Sequence, residues 1–337
     1  MKNTFIIAEA GANHNCNFAQ AKALIDIAVR AGTNAVKFQT YTSETLYSKN
    51  TPDFAGYENI NELIKGIELP RNWQGELKQY CDDLGIEFIS TPFDEAAVDE
   101  LYNIGVKRFK IAGFEATDPR FVKYVASTGL PVIITCGIGS NLKRAKEIVS
   151  WVREVNKNAD ITLLHGNNAY PTPFHDAGLN QIDILRSNIK GIKVGLSDHT
   201  PGIFVPPLAV AKGADVIEKH FTLSRFLPGP DHPFAIEPKE LYDMVSNIRI
   251  AEKVCQEKVG ELSDSEKAFS KAMRSVVTKT AIKQGEILTI QNITTKRPLL
   301  KNSIPASEYY LMLGKHATCD LEEDCILSKT DIIGSND

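Results

Sequence analysis

Short apolar runs that end in polar residues recur along the first two thirds of the chain. There are eight of them, FIIAEA, AVKFQT, EFISTP, RFKIAG, PVIITC, ITLLHG, KVGLSD and VIEKHF, beginning at Phe5, Ala35, Glu87, Arg108, Pro131, Ile161, Lys193 and Val216. Short apolar runs bounded by turn-forming segments are consistent with buried strands. The pattern therefore predicts eight parallel strands.

Between these runs, apolar residues recur three and four positions apart, as they do on one face of a helix. Stretches of this kind cover residues 19–31, 73–84, 95–104 and 144–155. Strand and helix alternating eight times predict an α/β fold, the (β/α)₈ TIM barrel, whose catalytic groups sit at the carboxyl ends of the strands. Those ends carry Glu9, Lys37, Gln39, Thr91, Lys110, Thr135, Ser197, His199, Glu218 and His220.

The chain is longer than one barrel requires. A TIM barrel takes roughly 250 residues, and the chain has 337. A long helical stretch from 239 to about 259 follows the eighth run, and then the polar segment GELSDSEKAFSK. The remainder has short β-like runs, SVVTKT, EILT and ILSKTDI. We expect a TIM-barrel catalytic domain at 1–260, a linker at 261–273 and a small β-rich domain at 274–337.

Composition excludes several classes of function. The net charge of -4 and the pI near 6.0 give no general attraction to nucleic acid or to an anionic membrane. No apolar stretch approaches the roughly 20 residues of a membrane span, and the amino terminus lacks a secretory signal pattern. The six cysteines show no C-x-x-C pair, so no disulfide is expected. We expect a cytoplasmic protein with neither a nucleic-acid nor a membrane partner.

The most informative local pattern is SDHT followed by EKH, at the ends of the last two runs. Because strand side chains alternate, His199 shares a face with Ser197, and Glu218 shares a face with His220. Both imidazoles can point into the barrel mouth. With water and substrate oxygens they would form an open site for Mn²⁺, Zn²⁺, Co²⁺ or Mg²⁺. The alternative is a pair of hydrogen-bonded histidines that hold no metal.

Two lysines end other strands on the inward face. Lys37 and Lys110 can bind an anionic phosphate or carboxylate, act as a Schiff-base nucleophile, or pair with a carboxylate such as Glu9. Hydroxyl groups at the same level would help to bind phosphate or would cap helices, and they belong to Thr91, Thr135 and Ser197.

Carboxyl and amide groups complete the candidate site. Glu9 and Glu218 can carry protons, or they can balance the charge of the lysines. Asn168 and Tyr170, in HGNNAYPTP, can hydrogen-bond a polar substrate or stabilise a turn. The sequence contains neither G-x-G-x-x-G nor a Walker loop, so a nucleotide-binding function has no support.

Taken together, AEAGANHN, VKFQT, ISTPF, KIAGFE, YPTP, GLSDHTPG, IEKHFTL, GPDH and GEILTIQNITTKRP closely resemble the sialic acid synthase family of bacterial nonulosonic acid synthases. The resemblance covers almost the whole chain. It implies a transferase of class EC 2.5.1 that acts in polysaccharide biosynthesis and condenses phosphoenolpyruvate, an N-acetylated amino sugar and water. The products would be phosphate, released by C–O cleavage, and a nine-carbon 2-keto sugar acid of the sialic, legionaminic or pseudaminic type.

The resemblance also implies roles for individual residues. His199 and His220 would hold Mn²⁺, or else Mg²⁺ or Co²⁺, and would act in catalysis with Glu9 and Glu218. The phosphoenolpyruvate ligands would be Lys37, Thr91, Lys110, Thr135, Asn168 and Ser197. The side chains facing the sugar would be Glu9, Gln39, Tyr170 and Asp231. Either N-acetylmannosamine or a 2,4-diacetamido-2,4,6-trideoxyhexose could be the acceptor.

The segment 274–337 resembles the antifreeze-like (SAF) domain of this family. The resemblance implies a domain-swapped homodimer in which Arg297 of one subunit binds the N-acetyl group of the sugar at the other.

This chain departs from the family pattern at three places. Gly113 stands where the family often has serine, which removes a hydroxyl from the phosphate site. Cys16 replaces the glycine of an NHNG turn. Its thiol would be either a third metal ligand or a packed side chain. GPDHPFAIEP differs from the GPDHxxSLxP of the sialic acid branch, which leaves the acceptor open.

Three other functions remain as alternatives. A Schiff-base pyruvate aldolase would use Lys37 or Lys110. A synthase of 3-deoxy sugar phosphates would need an additional basic cluster, which the sequence lacks. A non-enzymatic protein that binds carbohydrate or ice would need a regular threonine array, and the candidate threonines are irregularly spaced at Thr278, Thr280, Thr289, Thr294 and Thr295.

Overall fold

The computed structural model describes residues 3–53, 59–137, 141–256, 260 and 262–334. The chain forms two compact units, Met1–Gln256 and Glu257–Asp337.

The first unit contains the eight strands that the apolar runs predict. They are β1 (Phe5–Glu9), β2 (Ala35–Thr40), β3 (Glu87–Pro92), β4 (Phe109–Ile111), β5 (Val132–Cys136), β6 (Ile161–Gly166), β7 (Lys193–Asp198) and β8 (Val216–His220). They form a parallel sheet in the order β3-β2-β1-β8-β7-β6-β5-β4. β4 lies beside β3, which brings the two ends of the sheet together. The predicted (β/α)₈ barrel is confirmed.

Helices follow the strands around the outside of the barrel. They are α1 (Phe18–Ala31), α2 (Ser43–Leu46), α3 (Ile60–Lys65), α4 (Gln74–Asp83), α5 (Glu95–Asn103), α6 (Pro119–Ser127), α7 (Leu142–Val155), α8 (Asn180–Asn188), α9 (Val205–Ala211) and α10 (Pro238–Val254). The four stretches with helical periodicity correspond to α1, α4, α5 and α7. Part of the helix predicted over 239–259 is α10, and residues 257–259 lie outside the described residues.

Local sequence explains where these helices begin. The Asn17 side chain accepts a hydrogen bond from the backbone N–H of Gln20, which caps α1. A capping box between Glu237 and Glu240 and a proline at the first helical position start α10. Such caps satisfy N–H groups that have no partner within the helix.

The interior of the barrel is divided into layers. A buried apolar cluster of Ile7, Ala35, Ile89, Ile133, Leu164 and Val216 fills its lower part. Two residues further along β1, β2, β3, β5 and β8, the same inward face carries Glu9, Lys37, Thr91, Thr135 and Glu218. A larger apolar cluster lies between the strands and the surrounding helices. The polar layer therefore lies directly above an apolar plug.

The second unit is a small β-rich domain with its own apolar core. Strands β9 (Ser275–Thr278) and β10 (Ile293–Lys296) pair antiparallel, as do β11 (His316–Ala317) and β12 (Ile332–Ile333). Two short helices complete it, α11 (Asp264–Lys267) and α12 (Tyr309–Met312). The run SVVTKT corresponds to β9, whereas EILT contributes only the single bridge from Ile287 to His316.

No helix among the described residues is both long and apolar enough to span a membrane.

Candidate active site

A cavity of about 730 Å³ opens at the carboxyl ends of the barrel strands. Its walls include most of the residues that the sequence predicts for the site, namely Glu9, Lys37, Gln39, Lys110, Thr135, Asn168, Tyr170, Ser197, His199, Glu218, His220 and Asp231. Thr91 contacts this set through Lys37, whose Nζ donates a hydrogen bond to the Thr91 hydroxyl at 2.9 Å. Arg297 belongs to the second unit.

Two lysines and two carboxylates form a charged network on the cavity floor. Lys37 Nζ lies 2.9 Å from Glu9 Oε2 and 3.8 Å from Glu218 Oε1. Lys110 Nζ lies 3.4 Å from the same Glu218 oxygen. All four side chains are buried. Because each lysine is close to the same oxygen of Glu218, the two ammonium groups lie on either side of one carboxylate.

Burial and charge shift the pKa values of the two carboxyl groups in opposite directions. Burial raises the pKa of Glu9 to about 7, although Lys37 opposes this shift. Burial also disfavours the charge of Glu218, but Lys110 and Lys37 outweigh it and lower the pKa of that group. Near neutral pH Glu9 is therefore partly protonated, whereas Glu218 is ionised.

The two lysines also differ. Burial lowers the pKa of Lys110, and the nearby carboxylate of Glu218 offsets only part of that effect. For Lys37, the carboxylates of Glu218 and Glu9 outweigh burial, and its pKa is raised. Lys37 is therefore the more firmly charged ammonium group.

Several buried polar atoms of the cavity have no hydrogen-bond partner among the described residues. They are Thr135 Oγ1, Asn168 Oδ1, Glu218 Oε2 and His220 Nδ1. Buried polar atoms are nearly always hydrogen-bonded, so a group of such atoms facing one cavity is typical of a ligand site.

The two histidines lie side by side at the cavity, with ring centroids 5.5 Å apart. His199 Nδ1 contacts the carbonyl oxygen of Asn167, so Nδ1 carries the proton and Nε2 keeps a free lone pair. Burial lowers the pKa of His199 to about 4 and that of His220 well below the usual value. Both rings are therefore neutral at physiological pH, the form in which imidazole binds metals.

The donor set fits a divalent cation that is held by two imidazoles. The unpartnered His220 Nδ1 lies 3.9 Å from Asp231 Oδ2. The described residues contain no cluster of three or more His, Cys, Asp or Glu side chains arranged for a metal. A cation here would therefore complete its coordination with water and substrate oxygens.

Cys16 does not extend this donor set. Its thiol donates hydrogen bonds to the carbonyl oxygens of Gly66 and Glu68, at 3.3 and 3.2 Å. Cys16 is not among the described residues that line the cavity. Cys16 is exposed, so it is not a packed thiol, and it lies outside the described cavity lining, so it is not a third ligand there either.

Tyr170 and Asp231 border the histidines. The Tyr170 ring lies 4.3 Å from the His199 ring and 5.3 Å from the Phe234 ring, between centroids. Asp231 Oδ2 accepts a hydrogen bond from the backbone N–H of Ala12 at 3.2 Å. An aromatic ring and a carboxyl group thus border the pair of imidazoles.

Gly113 permits a close approach between two loops. A Cβ at this position would lie 2.9 Å from Gly137 Cα and 3.0 Å from Asn168 Oδ1. A serine here would require the loop after β5 or the Asn168 amide to move. The departure from the family pattern therefore removes a hydroxyl and at the same time makes room for Asn168.

The cavity also contains residues that the sequence motifs do not indicate. Glu115 lines the cavity, its Oε2 has no partner within the described chain, and burial raises its pKa. An apolar rim, which we define as Tyr41, Ile60, Leu63, Ile64, Ile67 and Phe93, also lines the cavity. The spacing of residues 60, 63, 64 and 67 is helical and could have indicated this face of α3.

Comparisons with known proteins agree with this architecture. The model of the NeuB family matches residues 24–260, and that of the SAF domain matches residues 273–333. The N,N'-diacetyllegionaminic acid synthase of Campylobacter jejuni is 39% identical over 96% of this chain and 98% of its own length. A pseudaminic acid synthase of the same species is 33% identical over 98% of this chain and 97% of its own.

A solved structure leads to the same family. The N-acetylneuraminic acid synthetase of Leptospira borgpetersenii is 35% identical, with a TM-score of 0.73 over 79% of this chain and 90% of its own. The family match covers more than half of the chain and most of the barrel that carries the cavity. This chain belongs to the NeuB family, with a SAF domain after its barrel.

Proposed function

We propose that this protein condenses phosphoenolpyruvate with an open-chain N-acetylated amino sugar and water, giving phosphate and a nine-carbon 2-keto sugar acid. The observation that carries the proposal is the convergence of two buried lysines and two neutral histidines on one cavity. The relatives, which are named synthases of legionaminic and pseudaminic acids, support the same class of reaction.

Lys37 and Lys110 would bind the phosphate and carboxylate groups of phosphoenolpyruvate. Their ammonium groups are buried, where a charge-assisted hydrogen bond to an anion is stronger than in water. The unpartnered hydroxyl of Thr135 and the amide of Asn168 would add neutral hydrogen bonds. Holding both substrates in one rigid cavity converts their encounter into a local event.

Proton transfer would fall mainly to Glu9. In the proposed reaction, C3 of phosphoenolpyruvate attacks the aldehyde carbon of the sugar, water adds at C2, and the C2–O bond to phosphate then breaks. A group with a pKa near 7 is well suited to take the proton of the added water, and Glu9 has that property. Glu218, with its lowered pKa, would remain ionised and keep both lysines in place.

His199 and His220 would hold a divalent cation, Mn²⁺ in the first instance. When bound, such an ion supplies Lewis-acid polarisation of the aldehyde oxygen. The histidines themselves contribute neutral rings whose orientation is set by packing and, for His199, by the carbonyl of Asn167.

The apolar rim favours a 2,4-diacetamido-2,4,6-trideoxyhexose over N-acetylmannosamine. The charged groups lie buried on the floor, whereas Leu63, Ile64 and Ile67 are only half-buried and stand nearer the opening. A sugar whose aldehyde end reaches the floor would direct its far carbons towards this rim. A C6 methyl group gains from apolar contact, whereas the hydroxymethyl group of N-acetylmannosamine would lose hydrogen bonds to water.

We further propose that a second copy of the chain completes the site. In this arrangement the SAF domain of one subunit lies over the barrel of the other, and its Arg297 binds the N-acetyl group of the acceptor. The guanidinium group offers several N–H donors in a fixed plane, which suits an amide carbonyl.

The direct test measures phosphate release from phosphoenolpyruvate with a panel of these amino sugars, with and without EDTA. We expect release only when an acceptor is present, and we expect its loss on treatment with EDTA or in His199→Ala and His220→Ala. Borohydride trapping of pyruvate on Lys37 or Lys110, insensitive to EDTA, would instead indicate a Schiff-base aldolase.

The preference for the acceptor has its own test. We expect kcat/KM for the trideoxyhexose to exceed that for N-acetylmannosamine by about 100-fold, close to what an apolar pocket can discriminate. Leu63→Gln should reduce this ratio about tenfold. Leu84→Gln is the control, because Leu84 ends α4 outside the described cavity lining. An unchanged ratio in Leu63→Gln would exclude the rim as the source of specificity.

A further inference from the structure

Three successive residue pairs run across the ends of β7 and β8. Ser197 is paired in register with Glu218, and Asp198 is paired with Lys219. One residue further along each strand come His199 and His220. His220 still belongs to β8 and is paired with Glu9 of β1, whereas β7 ends at Asp198. The strand ladder therefore holds His220 in place but ends one residue before His199.

The last paired rung carries a buried ion pair on its outer face. Lys219 Nζ lies 2.7 Å from Asp198 Oδ2, and both residues are 2% exposed. Because side chains alternate along a strand, this pair lies on the side of the sheet opposite to the two histidines. It is therefore outside the described cavity lining.

Lys219 also reaches past His199. Its Nζ donates a second hydrogen bond to the backbone carbonyl of Thr200. The N–H and hydroxyl groups of Thr200 in turn donate to Asp198 Oδ1, at 3.1 and 2.9 Å. The residues immediately before and after His199 are thus both bound to one ammonium group of β8.

We propose that Lys219 is a positioning residue that sets the separation of the two imidazoles. By binding Asp198 and Thr200 it ties the backbone of His199 to β8, the strand that carries His220. The proposal rests on the proposed function for the role of the histidines. In this proposal, the ion pair on the outer face of the two strands fixes the positions of the two histidines on the inner face.

The test removes the ion pair without leaving a buried charge unpaired, because an isolated buried charge would destabilise the fold. The variant is Asp198→Asn with Lys219→Met, in which the asparagine can still accept hydrogen bonds from Thr200. The matched control is Glu87→Gln with Arg108→Met. That pair joins β3 to the residue before β4 at the opposite end of the barrel, with Nε 2.6 Å from Oε1.

The first measurement is the Mn²⁺ affinity of the purified protein without substrate, from the electron paramagnetic resonance signal of free Mn²⁺. We expect the Asp198→Asn/Lys219→Met variant to bind Mn²⁺ about 10- to 100-fold more weakly, as is usual when a group that orients a ligand is removed. The control should bind it as the wild type does. A variant within twofold of the wild type, or an equal loss in the control, would overturn the proposal.

The second measurement does not depend on any metal. Long-range ¹H–¹⁵N spectra of the metal-free protein report the environment of each imidazole ring, and His199→Ala and His220→Ala assign the signals. We expect the signals of both rings to move in the Asp198→Asn/Lys219→Met variant and to stay in place in the control. Unmoved signals would overturn the positioning role. A wild-type protein that failed to bind Mn²⁺ would count against the proposed function, and the ring spectra would then decide the positioning role by themselves.

Discussion

At the scale of single residues, two glutamates in one cavity differ because their neighbours differ. Glu9 meets one lysine and a neutral amide, since Gln39 Nε2 donates to Glu9 Oε1 at 2.8 Å. Glu218 lies near both lysines, and the Ser197 hydroxyl donates to it at 3.2 Å. Two carboxyl groups whose pKa values are moved apart are suited to different tasks, one to proton transfer and one to holding charge.

The pKa of Glu9 predicts how the activity depends on pH. Because burial raises this pKa to about 7, Glu9 gains its negative charge only as the pH rises through that value. As the base for the added water, Glu9 should make kcat/KM rise with pH and level off above about 7. Glu9→Gln should lower kcat/KM by about 100-fold or more and abolish this rise. If the rise persists in Glu9→Gln, another group is the base.

At the scale of elements, the barrel depends on close contact between strands at one glycine. A Cβ on Gly195 of β7 would lie 2.1 Å from the carbonyl oxygen of Val216 and 2.7 Å from Leu164 Cδ2. Both neighbours belong to the apolar plug below the charged layer. The missing side chain at position 195 therefore lets β7 approach β8 where the plug is already filled.

Gly195→Ala should consequently destabilise the barrel by about 3 kcal/mol, the upper end of the usual cost of overpacking, because the backbone of β8 cannot rotate away as a side chain can. The measurement is the free energy of unfolding from urea titration. Gly75→Ala is the control, because a Cβ there meets nothing within 4 Å and Gly75 lies in α4, where alanine is favoured over glycine. Equal stabilities of the two variants would contradict the steric argument.

Element positions follow well from the sequence, whereas some details do not. All eight strands coincide with apolar runs because each is buried on both faces, which requires a continuous apolar segment. The β10 strand is not among the predicted runs, because its ITTK sequence is mostly polar. Its extended conformation is instead stabilised by antiparallel pairing with β9. The periodic stretches also do not include α3, because this helix has only six residues, Ile60–Lys65, which is too short to show a repeated apolar face.

At the scale of the whole molecule, we have proposed that two copies of the chain share each site. A mixing experiment distinguishes this arrangement from a self-contained chain. Arg297→Ala removes the proposed sugar-binding arginine but leaves the barrel intact, and His199→Ala removes a barrel histidine but leaves the SAF domain intact. Because each variant lacks one part of the proposed site, each alone should be inactive or nearly so. In a swapped heterodimer, one barrel regains a normal arginine from its partner.

Mixing and reassembling the two variants should therefore restore activity, to about a quarter of the wild-type value for random pairing in a twofold dimer. Light scattering should give the mass of a dimer for both variants and for the mixture. If dimers exchange subunits but no activity returns, the arginine does not act across the subunits. A KM for the sugar that is unaltered in Arg297→Ala would remove Arg297 from the site altogether.

The amino-acid sequence alone is enough to predict the barrel, the small domain after it and the family. It also predicted which strand-end side chains face the mouth of the barrel, since side-chain alternation is a property of any strand. These features depend on local periodicity and on the order of short motifs, both of which can be read along one chain. For that reason, most of the side chains assigned to the site are among those that line the cavity.

How these side chains act on one another depends on the folded arrangement of the chain. Lys37 and Glu218 are far apart in sequence, and only closure of the barrel brings them to 3.8 Å and moves the pKa values of Glu9 and Glu218 in opposite directions. The ion pair behind the histidines and the apolar rim at the opening likewise require neighbours from different strands and loops. Desolvation and Coulomb interaction depend on what surrounds a group in space, and the linear order of residues does not specify those surroundings.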